Sequence, residues 1–197
     1  MTAPKTLLDL AGIAPAPIAP EDTAVVMIDC QNEYVDGILA LPGVRPALDQ
    51  GALALQILRE RGLPVFHIQH RGGPGGPFDR DAAVFDIADP VKPVADEPSI
   101  EKSLPNAFAG TDLHDRLQAA DRKHLVLAGF MTHMCVSSTA RAALDLGYRC
   151  TIVAGACATR DLPDGRGGVV SADDLHRMEL AALSDRFATI LPDASAL

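Results

Sequence analysis

The chain has 197 residues, 48% of them apolar, and a formal net charge of −9. This length suits one domain with a sizeable core, and the apolar share excludes a disordered chain. Lys and Arg are nowhere clustered, which excludes a phosphate-backbone binder, and no apolar run reaches membrane-spanning length, so neither nucleic acid nor membrane is an expected partner.

Residues 1–22 read as an N-terminal arm: a short helical piece, then a Pro-rich lead-in, without the continuous apolar core of a secretion signal. Residues 23–197 read as a single domain. Thr23–Asp29 is a continuous apolar run ending in an acid, as in a parallel strand buried on both faces. Pro46–Arg61 carries apolar residues at helical spacing and stops at Gly62, and Leu63–Ile68 is a second strand. The Gly-, Pro- and Asp-rich segment Gly72–Pro98 is a long connection, expected to be a functional loop, a lid or an interface. Ser99–Lys102 follows as a short strand, and Asp112–Ala120 as a helix capped by Thr111.

Leu125–Ala128 is the next strand. Gly129 breaks it, and a helical pattern runs from near His133 to Gly147. Arg149–Ala154 is a strand, Ala156–Gly168 a polar loop, Ser171–Leu183 a helix with Ser171 at its N-cap, and Phe187–Leu191 a last strand. Strand alternates with helix throughout. The expected fold is therefore a three-layer α/β/α, Rossmann-like domain around a mostly parallel sheet of about six strands.

Ligands of such sheets bind beyond the C-terminal strand ends, and three reactive side chains fall there. Asp29 ends the first strand, Lys102 the third, and Cys135 sits in the first turn of the helix after the fourth, where backbone N–H groups and the helix dipole favour a thiolate. An acid to take the thiol proton, a cation to stabilise both anions, and N–H groups for an oxyanion make a covalent-catalysis set. Cys30, Cys135, Cys150 and Cys157 show no CxxC spacing, which argues against zinc or thioredoxin-type chemistry. Reduced thiols and a cytoplasmic location are expected. Cys30 and Cys150 read as packing.

Three stretches resemble the isochorismatase-like cysteine hydrolases, which include nicotinamidases and N-carbamoylsarcosine amidohydrolases. They are Val26–Asn32 (VMIDCQN), Glu101-Lys102 with Asn106–Leu113 (NAFAGTDL), and Gly129–Val136 (GFMTHMCV) with Thr139-Ala140-Arg141 and Gly147-Tyr148. The resemblance implies Cys135 as nucleophile, Asp29 as general base and Lys102 as cationic partner. It also implies a non-proline cis bond at Phe130–Met131, aiming the N–H groups of Met131 and Cys135 at an oxyanion. Gln31, Asn32, Phe108, Phe130 and His133 are expected around the substrate pocket, although Asn32 serves equally to orient Asp29 or to cap a turn.

By the same resemblance the reaction is hydrolysis of a small amide, carbamoyl or ureido C–N bond through a thioester. Members that cleave the vinyl ether of isochorismate lack the cysteine, so ether hydrolysis is the alternative, with a non-catalytic member behind it. Nicotinamidases hold a metal on an Asp-x-His…His cluster after the second strand. Here His67-Ile68-Gln69-His70 stands in that place, so no metal and no cofactor is expected, and His67 and His70 read as structural or pocket-lining. His114 and His176 read as surface residues. Arg160 and Asp161 either pair or face the site. The family forms homo-oligomers, and the apolar arm Leu7–Ile18 suits a subunit contact.

Overall fold

A computed structural model describes residues 3–15 and 17–197. Met1, Thr2 and Ala16, part of the expected arm, lie outside the described residues. In chain order the elements are α1 (Leu7–Leu10), β1 (Thr23–Ile28), α2 (Glu33–Asp36), α3 (Val44–Glu60), β2 (Val65–His70), β3 (Ser99–Lys102), α4 (Leu113–Ala119), β4 (His124–Phe130), α5 (Ser137–Asp145), β5 (Arg149–Ala158), β6 (Leu162–Pro163), β7 (Val169–Val170), α6 (Ala172–Arg186) and β8 (Thr189–Leu191). Six strands form one sheet in the order β3-β2-β1-β4-β5-β8. Every pairing in it is parallel. The expected α/β/α sandwich is the observed one.

The two faces of β1 show why its sequence is apolar throughout. Val25 and Met27 pack toward α2, α3 and the segment after β2, in one cluster with Leu48, Leu55, Leu58 and Val91. Ala24, Val26 and Ile28 point the other way, into a cluster with Leu113 and Leu117 of α4, Val136 just before α5, Ala140 of α5 and Leu183 of α6. A strand covered on both sides has no polar face to present.

Four details differ from expectation. First, β5 runs on to Ala158. Its register against β4 jumps from Leu127↔Ile152 to Gly129↔Cys157, so a bulge absorbs the extra residues and carries the strand end alongside Phe130. Gly155, which breaks the strand pattern, instead donates its N–H to Pro192 at 2.9 Å. Second, the expected polar loop holds a small hairpin, β6 with β7. Third, Asp112 occupies the N-cap of α4 without a side-chain cap bond. Thr111 Oγ1 instead donates to the Ala107 carbonyl at 2.6 Å and accepts only a long contact of 3.4 Å from Leu113 N. Fourth, the Gly72–Pro98 segment is a packed wall. It folds two 3₁₀ turns, Ala83–Phe85 and Asp89–Val91. Its Phe78, Phe85, Ile87, Ala88 and Val91 are buried, and Ile87 bridges to Gln31. The expected Ser171 cap is present, accepting from Asp174 N.

Candidate active site

In the sheet order, β1 is the strand from which the chain first builds outward through β2 to β3 and then returns to add β4 on the other side. The crevice at that switch point is the usual ligand position of an open α/β sheet. Asp29 leaves β1 there with φ 50°, a left-handed conformation uncommon for a non-glycine residue. Its N–H is tied to the Ile68 carbonyl at 2.9 Å. Across from it Gly129 adopts φ +122°, and a Cβ at that position would lie 2.0 Å from the Ile28 carbonyl oxygen. Only glycine lets β4 approach the end of β1 so closely. After the Phe130–Met131 cis peptide bond, the residues Thr132–Val136 form a π-helical turn that leads into α5 and carries Cys135.

Lys102 closes β3 and pairs in register with His70 at the end of β2. Its Nζ donates to Asp29 Oδ2 at 2.6 Å, to Cys135 Sγ at 3.3 Å and to His70 Nδ1 at 3.2 Å. The side chains of Lys102 and Asp29 are wholly buried. The second oxygen of Asp29, Oδ1, is buried without a hydrogen-bond partner. One carboxylate, one ammonium, a neutral thiol and a neutral imidazole sum to zero charge, the condition under which such burial is tolerable.

Burial moves each group toward its uncharged form. It raises the Asp29 carboxyl above its ordinary value, against the opposing pull of Lys102. It pushes the Cys135 thiol up to about 12, helped by the Asp29 charge and opposed by Lys102. It lowers His70 to about 4, with Lys102 acting in the same direction. The resting thiol therefore keeps its proton at neutral pH, with Asp29 Oδ1 as an unoccupied acceptor in the same cluster.

The structure brings Asp29, Lys102 and Cys135 together. Of the expected pocket residues, it buries Gln31 and Phe130 completely. Gln31 is completely buried and acts as a strut: Oε1 accepts from His70 N at 2.7 Å, and Nε2 donates to the carbonyls of His70 (3.0 Å) and Phe85 (2.8 Å). Phe130 is also fully buried, with its edge on Tyr34 at 5.6 Å. Both support the site from beneath. Phe108 stacks on Tyr148 at 5.7 Å. Asn32 starts α2 and reaches the Ala83 carbonyl at 3.3 Å, and its own N–H goes to Asp86. His133 pairs through Nδ1 with the Thr159 hydroxyl and leaves Nε2 buried without a partner. Met131 is buried at the cis bond.

His67 and His70 diverge. His67 turns inward to Glu97 at 2.9 Å, a carboxylate that Arg59 also holds at 2.6 Å. His70 enters the site; of the two roles expected for it, structural or pocket-lining, neither named its contact with Lys102. Its signal was there: parallel pairing of the second and third strands sets residue 70 beside residue 102. Asp29, His70 and Cys135 offer donor atoms within 4.8 Å of one another, a spacing a metal ion could use. The Lys102 ammonium contacts all three, so a cation already stands in that place. His176 is not a surface residue: half-buried on α6, it meets Thr132 Oγ1 at 2.8 Å. His114, also half-buried, meets the Tyr148 hydroxyl at 2.9 Å. Asp161 caps α6 by accepting from Ala172 N at 2.7 Å, and Arg160 Nε is buried without a partner.

A cavity of about 430 Å³ opens away from this cluster, where β4, β5 and β8 begin, between the sheet and the arm. It is lined by Ile13, His124, Tyr148, Phe187 and Ile190 among others. The chemistry-bearing cluster lies at the opposite sheet edge.

An open parallel sheet with a buried acid, amine and thiol at its switch point defines an α/β protein with the groups of covalent catalysis gathered in one place. Residues 23–195 match the Isochorismatase domain, and the chain belongs to that family. It is 38% identical over 171 residues to the uncharacterised isochorismatase family protein YddQ of Bacillus subtilis (strain 168), covering 85% of this chain and 94% of that protein. The crystal structure of an isochorismatase from Pseudomonas putida KT2440 superposes with a TM-score of 0.93 at 38% identity, covering 99% of this chain and all of that one. N-carbamoylsarcosine amidase from Thermoplasma acidophilum superposes with a TM-score of 0.71 at 26% identity, covering 86% of this chain and 95% of that one. Members of the family are hydrolases, amidohydrolases among them. Among the described residues no helix is long and apolar enough to cross a membrane.

Proposed function

We propose that this chain is a cysteine amidohydrolase that cleaves the C–N bond of a small amide, carbamoyl or ureido compound through a thioester. One observation carries the reading: a single buried ammonium touches both the carboxylate and the thiol at the sheet's switch point. Asp29 takes the thiol proton as Cys135 Sγ attacks the carbonyl carbon. The N–H groups of Met131 and Cys135 receive the oxyanion. The same proton passes to the leaving nitrogen as the C–N bond breaks, which releases ammonia or an amine and leaves the acyl group on sulfur. Water then attacks the thioester, losing a proton to Asp29, and the acid product departs as the thiol re-forms. Lys102 remains a cation throughout and holds the sulfur and the carboxylate against each other.

This route explains why the thiol is neutral at rest. The nucleophile is generated only when a substrate carbonyl supplies the place where negative charge can go. A screen of small amides followed by ammonia release tests the reading, with the acyl-enzyme trapped and weighed by mass spectrometry. Cys135→Ala is expected to abolish turnover and the trapped adduct. Retained amide hydrolysis in that variant, or turnover of isochorismate with no amide turned over, would overturn it.

Two further parts belong to the proposal. Four free, buried cysteines suit a reducing, cytoplasmic setting. The exposed Leu7, Leu10 and Ile13 of the arm suit a contact between copies of the chain in a homo-oligomer.

A further inference from the structure

We propose that His70 is a positioning residue: its Nδ1 lone pair is the third acceptor that fixes the Lys102 ammonium between Asp29 and Cys135. The inference rests on the cysteine-hydrolase reading of that cluster. An ammonium has three N–H donors and no acceptor. At Lys102 all three are assigned: one to Asp29 Oδ2, one to Cys135 Sγ and one to His70 Nδ1. The Lys102 side chain is wholly buried, so a donor released from any of the three would lack a partner, a penalty an ammonium avoids by turning toward another acceptor. Turning would change the distance to sulfur, the atom that must be held when it becomes an anion.

The ring is fixed in its turn. Gln31 grips the His70 backbone from both sides, accepting from its N–H at 2.7 Å and donating to its carbonyl at 3.0 Å. Phe78 packs edge-on against the imidazole, with centroids 5.0 Å apart and planes at 67°. Because Lys102 can only donate, Nδ1 must carry the lone pair, and the neutral ring is the Nε2–H tautomer. Burial and the Lys102 charge keep that ring neutral well below pH 6. The buried Gln31, which from sequence belonged with the pocket, thus acts through His70 and Lys102 on the nucleophile.

The test separates an acceptor from a packing role by which atom is replaced. His70→Asn puts an amide oxygen near the place of Nδ1. His70→Gln carries its polar end out to the place of Nε2 and leaves Nδ1 empty. The rate at which iodoacetamide modifies Cys135 is followed against pH in the full chain by mass spectrometry of the peptide. That readout needs no substrate, so it stands or falls separately from amide hydrolysis. Wild type and His70→Asn are expected to share one pH profile, whereas His70→Gln is expected to react about tenfold more slowly at a given pH, with its profile displaced about one unit to higher pH. Long-range ¹H–¹⁵N spectra of wild type are expected to show His70 protonated at Nε2 only, a result independent of whether either variant folds. Equal impairment of both variants, unchanged profiles in both, or an Nδ1–H tautomer in wild type would overturn the proposal.

Discussion

Replacing Lys102 by Met removes the ammonium and nearly preserves the side-chain length. Asp29 is then a wholly buried carboxylate with no cation beside it, since its nearest partner was Lys102 Nζ at 2.6 Å. It has two ways out, and both are costly. Remaining ionised costs about 3–5 kcal/mol, the usual loss when one partner of a buried pair is removed. Taking a proton instead costs about 1.36 kcal/mol for each pH unit above the ordinary value of 3.8, which is about 4.4 kcal/mol at pH 7. The second route sets the sign of the pH dependence. With the folded value raised far above 3.8, the penalty is complete at high pH and shrinks as pH falls toward 3.8. At pH 5 it is about 1.6 kcal/mol by the same arithmetic. Urea unfolding of Lys102→Met against wild type at the two pH values measures the part of this penalty that Lys102 offsets, for which these figures are upper bounds because the Asp29 carboxyl already lies above 3.8 in the intact pair. The Asp29→Asn/Lys102→Met double variant carries no buried charge at the pair. It is expected to recover most of the stability with no pH dependence over that range, while amide hydrolysis stays at least about a hundredfold down. A deficit that is equal at pH 5 and pH 7, or one under about 1 kcal/mol at pH 7, would refute the claim that the pair is a desolvated unit.

Two other expectations follow from the fold. Gly129→Ala would drive a Cβ to 2.0 Å from the Ile28 carbonyl oxygen at a φ that side chains rarely adopt; a loss of about 4 kcal/mol or more, or failure to fold, is expected, and a melting curve matching wild type would contradict the close approach of β1 and β4. Leu10→Glu places a charge on the most exposed apolar side chain of α1; sedimentation velocity is expected to show a shift from oligomer toward single chains, and identical profiles would remove the arm from any subunit contact.

The strands that build the site were legible because a doubly covered parallel strand must be apolar along its whole length, as β1 and β4 are. Asp29, Lys102 and Cys135 were legible because two of them close strands, the third follows one, and the stretches around all three resemble those of the family. What the pattern hid depends on pairings between distant segments. His70 becomes a partner of Lys102 only through the β2–β3 register. Gln31 looked like a pocket residue because it lies two positions beyond Asp29, yet its amide is consumed by the backbone of His70 and Phe85. Phe130 precedes the cis bond but turns into the core against Tyr34. The Gly- and Pro-rich composition of residues 72–98 suggested a functional loop, a lid or an interface, but the burial of Phe78, Phe85, Ile87 and Val91 needed a surface of α2 and α3 that no local pattern describes. The extension of β5 was masked by Gly155, whose role is set by the approach of Pro192.

The burial of Cys135 also bears on the lifetime of the protein. Burial pushes the folded Cys135 thiol above its ordinary value, so at neutral pH less of it is thiolate in the folded chain than in an unfolded one. Oxidation to sulfenic acid and beyond begins from the thiolate and requires access, and only 4% of Cys135 is exposed. The native fold thus shelters this sulfur from peroxide, and the chain is most vulnerable to its oxidation while it is being made or while it is unfolding.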